Sequence, residues 1–494
     1  MKGAPEDRPP RLGTRMLLKA GLAMLVITLG CAASVATAVL LEVKKDADIF
    51  EREQIPIPNI EGALDGVSAG GPQTILVLGS DRRFADIKAK LPARSDTMML
   101  IRLDPSKGAT AVMNIPRDLK VDIPGHGEDK INAAYAIGGP SLSVKTVRGL
   151  LHIPINHVVN VNFGGFRHAV DRLKCVYVDV DRKYFNDNNP PFGGGGDYAT
   201  IDVPAGYQRL CGQDALDYVR YRHFDSDLVR AARQQDFLRQ AKDQIGVSRI
   251  FGDREALLKI FGKYTQTDIR GTTAILRLLK LVAQSASHPV QEIHFPGDAG
   301  PTYVTTSASR LKRAVHDFLN AKGSTGPRGK ATPTSPAKPR KHSSSGVPRG
   351  LILNKTMGED QAANLATKVG YPVYYPKLMP ARGNYRTNDN RAYNVYDRGH
   401  HKYRAYRIVG YAGDIGQYYG VEGTNWSSPP LLDNPSETRM LNGRKFELFF
   451  DGSRLRLVAY RTKRAVYWVS NTLLQTLTNQ QMLALAESLT RVGH

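Results

Sequence analysis

Two aspartates and a set of arginines stand where apolar runs begin or end. "LVLGSDRR" places Asp81 and Arg83 just after a strand-like run, and "ARSDTMMLI" places Arg94 and Asp96 just before another. "NIPRD" places Arg117 and Asp118 after a third, and "EDKINAAYA" puts Lys130 at a helix start. Any one of these reads as a solvated loop charge. Their coincidence is informative, because open α/β sheets bind ligands in the crevice at strand ends. A second group lies in "CGQDALDYVRYRHFDSDLVRAARQQDFLRQAKDQI". Arg220 and Arg222 alternate, so both point one way from an extended segment. Ser226 or Asp227 caps a following helix. On that helix Leu238, Ala241 and Ile245 give an apolar stripe, and Arg230, Arg233 and Gln234 share a face near the N-terminus. Arginine forks beside a helix N-terminus make a ready anion site. The competing reading is an ion-pair network with Asp214, Asp217, Asp225 and Asp236, which is strongest for Arg230 and Arg239.

Two carboxylates among so many arginines suit a metal–phosphate site. Mg²⁺ takes one or two carboxylates and completes its shell with phosphate oxygens and water. Asp81 and Asp96 are the natural pair. The arginines would neutralise a diphosphate and stabilise charge on its leaving group. No Walker loop is present; "FGGGGD", 192–197, lacks the Lys-Ser/Thr pair and reads as a turn.

The elements that must position these groups follow from periodicity. "TILVLGS" and "TMMLIRLD" are near-continuous apolar strands, as expected of a sheet covered on both faces. "LSVKTVRGLLHI" has helical spacing, and "HVVNVNF" and "CVYVDVD" return to strand. This alternation over 73–321 predicts an α/β domain. Pro116 ends the pairing of the strand before it, because it has no donor. Arg117 then stands at the sheet edge, with Asp118 orienting it.

The chain has 494 residues and a formal net charge of +22. Such a balance favours anionic partners, and location chooses among them. Residues 1–19 carry Lys2, Arg8, Arg11, Arg15 and Lys19. The uncharged run 20–41 reaches about 33 Å as a helix, enough for one membrane span. A cleaved signal peptide and a lipoprotein cut at Cys31 are weaker alternatives, the first for the run's length and the second for Thr28 in "TLGC". The basic side stays cytoplasmic, so the rest lies outside the cell and nucleic acid is excluded as partner. Cys175 and Cys211 fall in that exported part, where thiols oxidise, and are expected to pair. Two buried free thiols is the alternative.

Residues 42–72 read as a stem. Residues 322–348 carry six Lys or Arg, no acid, and many Pro and Ser, a solvated basic linker. Residues 349–494 read as a smaller α+β domain. "RKFELFFDGSRLRLVAYRTKRAVYWVS" is a β-meander turning at Asp451-Gly452 and Thr462-Lys463. "NQQMLALAESLTRV" is a terminal helix capped near Thr478 or Asn479. The aromatics of "YYGVEGTNW" and "YW" read as core.

At "LGSDRR", "RSDTMML", "IPRDLKVDIPG", "KINAAYAIGG" and "YVRYRH...R..RQQ.FL" the sequence resembles the LytR–CpsA–Psr (LCP) family of exported cell-wall phosphotransferases. The blocks stand in family order and spacing across roughly 73–242. The resemblance implies an α/β/α fold with a lipid-holding groove. It implies Mg²⁺-assisted transfer of a glycopolymer from a polyprenyl-diphosphate carrier to a peptidoglycan hydroxyl. By position, Asp81 and Asp96 would hold the metal, and Arg83, Arg94, Arg117, Arg220, Arg222, Arg233 and Gln234 the diphosphate. Lys130, at a helix start, and Arg230, on the face of Arg233 and Gln234, extend that anion-binding set. Two departures occur together: Lys174-Cys175 stands where the family often has Gly-Gly, and Cys211 precedes the Gly of "CGQDAL". Their pairing in the chain favours a disulfide. A non-catalytic lipid-diphosphate binder and a lipid-diphosphate hydrolase remain the rival functions.

Overall fold

The computed structural model describes residues 44–45, 48–49, 52, 55–67, 71–81, 94–189, 200–221, 227–245, 252–285, 290–321, 347–414 and 416–493. The apolar run 20–41, Arg83, "FGGGGD", Arg222 and most of the basic linker lie outside them. So do the side chains of Asp81, Arg94 and Asp96. Among the described residues no helix is long and apolar enough to cross a membrane.

The first domain is built on a seven-stranded mixed sheet. Its strands are β1 (Ile55–Pro56), β2 (Gln73–Asp81), β3 (Arg94–Asp104), β4 (Ala109–Ile115), β5 (His157–Asn162), β8 (Thr265–Thr267) and β9 (Val290–Ile293), in the order β1-β8-β5-β2-β3-β4-β9. The continuous apolar runs have the predicted cause. Leu76, Leu78, Met98 and Leu100 face a core completed by α1 (Ile131–Leu151) and by Ala314 and Phe318 of α7 (Ala308–Leu319). Their alternate neighbours Ile75 and Leu103 pack on the opposite face against Ile275 and Leu281 of α6 (Gly271–Ser285). The sheet is therefore covered on both sides.

The stretch read as a stem is in part core: Ile57, Ile60 and Ala63 are buried in the α1-side cluster, and β1 is an edge strand of the sheet. Three apolar residues spaced among polar ones gave no periodic signal, yet they fill that core.

Beyond the sheet, α2 (Phe163–Arg172) leads into a long ribbon whose inner strands are β6 (Val176–Val180) and β7 (Gly206–Leu210). Cys175 and Cys211 flank the last register pair, Val176 with Leu210, and they are joined as a disulfide with Cα atoms 4.4 Å apart. Lys174 and Cys175 both adopt left-handed backbone, φ 62° and 65°. Glycines at these two positions would meet that geometry without penalty, whereas side chains there cost about 1–2 kcal/mol each. The cross-link offsets this by constraining the unfolded chain, by about 2–4 kcal/mol. The variant C175A/C211A is expected to lose stability in urea unfolding. Adding Lys174→Gly, with glycine in place of alanine at 175, is expected to recover about 1–2 kcal/mol of that loss. No recovery would mean that the left-handed pair carries no strain.

After Cys211 come α3 (Gly212–Arg220) and α4 (Asp227–Gln244). Arg220 is thus the last residue of an amphipathic helix, where an extended segment was predicted. Gly212, Ala215, Leu216, Asp217 and Tyr218 form its buried face, a 3.6-residue period that outweighs the local Arg-Tyr-Arg alternation.

The C-terminal domain has an eight-stranded antiparallel sheet backed by α8 (Lys355–Val369) and α9 (Asn479–Glu487). The strands used below are β11 (Arg391–Tyr396), β12 (Lys402–Tyr411), β13 (Tyr418–Thr424), β16 (Arg454–Arg461) and β17 (Val466–Ser470). The meander turns where expected, and Thr478 caps α9 with a reciprocal bond from Gln481.

The sheet's other face is not solvated. Tyr393, Val395, Leu457 and Trp468 share one core with Tyr177 and Tyr207 of the β6–β7 ribbon. Arg407 on β12 is 1% exposed, paired with Asp179 of β6 and, at 2.9 Å, with Glu422 of β13. Burial opposes charge on Arg407, but these two carboxylates outweigh it and raise its pKa. Burial, with Asp179 adding, pushes Glu422 up to about 7. Nearby, burial and then Asp451 push Glu292 up to about 8 against the pull of Arg239.

Burial disfavours the charged form of both acids more in the folded chain than in the unfolded one. Their contribution is complete below about pH 4.5 and is lost as pH rises through about 7 to 8. The melting temperature followed at the interface is expected to fall across that window. A rise across it would contradict the assignment.

Candidate functional site

Strand registers bring the predicted groups to one end of the sheet. Asp81 is paired with Arg94, Ser80 with Asn162 of β5, and Ile115 at the end of β4 with Met98. The β2–β3 register shifts between Gly79, opposite Thr97, and Ser80, opposite Ser95. Asp96 is therefore the extra residue of a bulge, the local feature by which strands re-aim a residue beside a site. The backbones of Asp81, Arg94 and Asp96 lie together here.

β4 stops at Ile115, and Pro116 opens the turn that carries Arg117. Asp118 lies between two cations, with Arg117 Nε at 3.4 Å and Lys130 Nζ at 2.9 Å. Lys130 is the N-cap residue of α1, and its chain is braced back to this turn by Ile131 N–H donating to Leu119 O. Arg117 and Lys130 are thus fixed side by side on one carboxylate, and both are only partly covered, at 23% and 33% exposure.

Helix α4 closes the site over β3 and β4. Gln234 Nε2 donates to Thr97 Oγ1 at 3.0 Å, and Asn114 Nδ2 donates to Ala231 O at 2.7 Å. The apolar stripe is split: Ala241 and Ile245 pack toward the β6–β7 ribbon, and Leu238 toward Met99 and Val112 of the sheet. Arg233 turns away from solvent. It is 0% exposed, donates to Tyr221 O, and stacks on Tyr184 at 4.7 Å from the ring centre. Arg230, on the same turn, is buried as well. Arg239 pairs with Asp236 and Glu292, the ion-pair alternative posed for it. Arg220 has a share in both readings: its Nε donates to Asp217 Oδ1 at 2.9 Å, while its guanidinium lies 5.5 Å from the Phe163 ring and lines a cleft.

That cleft has a volume of about 920 Å³ and opens between α1, α2 and α3 at the same end of the sheet. Ser80, Asn160, Asn162, Arg167 and Tyr264 line it beside Arg220, and none of these five was singled out from sequence. Asn162 carried a readable signal, since a polar residue before "FGGF" is an N-cap, and its side chain does accept from Gly165 N–H. Helix α1 kinks at Gly138 and Gly139, just before Pro140, and the kink forms part of the wall.

One cluster of metal-type ligands occurs among the described residues, Asp171 with Cys175 and Cys211. Its sulfurs are bonded to each other, which leaves them no thiolate to offer.

Residues 37–318 match the LytR_cpsA_psr family. Polyisoprenyl-teichoic acid–peptidoglycan teichoic acid transferase TagT of Bacillus subtilis is 34% identical over 245 residues, 47% of this chain and 73% of that protein. The TagU transferase of the same description from Oceanobacillus iheyensis is 34% identical over 203 residues, covering 40% of this chain and 58% of that one. Among solved structures, TagT bound to LI-WTA aligns at 28% identity with a TM-score of 0.42, over 55% of this chain and 100% of that chain. YwtF (TagT) with bound octaprenyl pyrophosphate lipid aligns at 26% identity with a TM-score of 0.39, over the same 55% and 100%.

Proposed function

The chain belongs to the LytR–CpsA–Psr family, and from that premise we propose that it is a membrane-anchored phosphotransferase of cell-wall assembly. It would move a glycopolymer from a polyprenyl-diphosphate carrier to a peptidoglycan hydroxyl. The observation that carries this is the convergence at one sheet end. Arg117 and Lys130 on Asp118, Arg220 in the cleft, Gln234 on Thr97, and the backbones of Asp81, Arg94 and Asp96 lie at that end.

In this reading Arg117, Lys130, Arg220 and Gln234 grip the diphosphate, with Arg83, Arg94 and Arg222 added from the adjoining segments. Arg230 and Arg233 act from behind, holding the helix turn that presents Gln234. Mg²⁺ bound at Asp81 and Asp96 would neutralise diphosphate oxygens. The hydroxyl attacks the sugar-proximal phosphorus, a new P–O ester bond forms, and the bond to polyprenyl phosphate breaks. Fixed donors stabilise the charge gathering on that leaving group. Asp118 is engaged by two cations and orients them, and the hydroxyl's proton passes to Asp118 or Asp81.

The test is incubation of the full chain with a lipid-linked polymer, Mg²⁺ and peptidoglycan. Polymer joined to peptidoglycan, with polyprenyl phosphate released, is the expected result. Free phosphate-terminated polymer would make it a hydrolase, and recovery of intact donor would make it a binder.

A further inference from the structure

The linker's composition sets no orientation between the two domains, so the surfaces must. The β6–β7 ribbon lies between them and uses its two faces differently. Val176, Val178, Val180 and Leu210 pack on Ala215 and Tyr218 of α3 and on Phe237 of α4. Tyr177, Asp179 and Tyr207 point the other way, into the C-terminal sheet.

That second contact is polar as well as apolar. Tyr207 N–H donates to Glu422 Oε1 at 2.8 Å, Tyr177 Oη donates to Tyr396 O at 2.7 Å, and Trp468 Nε1 donates to Asp179 at 3.3 Å. On the α4 side, Gln244 bonds both the N–H and the carbonyl of Tyr177.

A direct contact bypasses the ribbon. Gly416, in the β12–β13 loop, sits so close to α4 that an added Cβ would lie 2.7 Å from Val229 Cγ2. Tyr418 follows, stacked 5.3 Å from Arg182. Arg182 in turn lies 4.4 Å from the centre of the Tyr184 ring, on which Arg233 also stacks.

We propose that the C-terminal domain is a positioning part of the diphosphate site. Through the ribbon, and through Gly416 and Tyr418, it fixes the helices that carry Arg220, Arg233 and Gln234. The proposal rests on the phosphotransferase reading for what those helices hold, but not for the coupling itself.

Gly416→Ala is the probe. Val229 is β-branched on a helix and 1% exposed, so its side chain cannot rotate away and the strain must move α4. Val229→Ala clears the space. Gly370 has a matching φ of 74°, against 75° at Gly416, with nothing within 4 Å of its added Cβ, so Gly370→Ala controls for backbone strain alone.

Hydrogen exchange over α4 and calorimetric binding of farnesyl diphosphate with Mg²⁺ are measured on the full chain for all four corners of the cycle. Gly416→Ala should speed exchange in α4 and weaken farnesyl diphosphate binding roughly 2- to 30-fold. The double variant should restore both, and Gly370→Ala should change neither. Unchanged α4 exchange in Gly416→Ala, or an equal change in Gly370→Ala, would overturn the proposal. If the unaltered chain binds no farnesyl diphosphate, the phosphotransferase reading fails, and exchange in α4 still decides the coupling.

Discussion

Arg117→Ala is expected to reduce polymer transfer about 100- to 1,000-fold, the usual cost of losing one donor aimed at transition-state charge. The side chain is anchored by Asp118 at 3.4 Å and is only partly covered. The pair with Asp118 is about three-quarters covered, so its loss is expected to cost folding about 0.5–3 kcal/mol, a modest drop in melting temperature beside the loss of transfer. Arg117→Lys should fall between the two, since an ammonium keeps the charge but lacks the planar fork that meets two phosphate oxygens. The measurement is transfer from a purified lipid-linked donor alongside thermal melts. Unchanged transfer would remove Arg117 from the site. Lost transfer with a collapsed melting temperature would instead make it a folding residue.

The second large effect lies far from the chemistry. Arg407→Met is expected to cost about 3–5 kcal/mol, because it strands a buried carboxylate. Asp179 and Glu422 would then face each other without their shared cation. Glu422, already pushed up to about 7, relieves the clash by keeping its proton. The loss should therefore be smallest near pH 5 and grow as Glu422 ionises above about pH 7. The chain has two tryptophans, Trp426 and Trp468, and both lie in the interface core. Intrinsic fluorescence during denaturant unfolding thus reports the interface. A pH-independent loss would show that Glu422 does not buffer the missing charge.

Local rules carried much of this architecture. Period-2 and continuous apolar runs identified β2 to β5 and the C-terminal meander, and Pro116 marked where β4 had to stop. The cysteine after Lys174 and the one before the "GQDAL" helix were expected to pair, and they do. What the sequence could not show depends on contacts between distant segments. Spacing put Arg230, Arg233 and Gln234 on one helix face, but the tyrosines that receive Arg233 come from Tyr184 and from Tyr218 and Tyr221 on other elements. The alternation in "CVYVDVD" marked a strand, yet nothing in it announced that Asp179 meets Arg407, 228 positions away. Three apolar residues in a polar stretch hid the core role of Ile57, Ile60 and Ala63. The gathering of these groups at one sheet end was legible because they sit in short motifs at element ends, where local rules are strongest.

The ribbon's two faces also sort the consequences of change by parity. Along 176–180, even positions touch the helices behind the cleft, and odd positions 177 and 179 touch the second domain. One five-residue strand therefore answers to two separate packing requirements, interleaved residue by residue. A change tolerated at Val178 says nothing of its neighbour Asp179. A substitution in the C-terminal sheet opposite Tyr177 or Asp179 has to be accommodated by those two residues, while Val176, Val178 and Val180 keep their own packing.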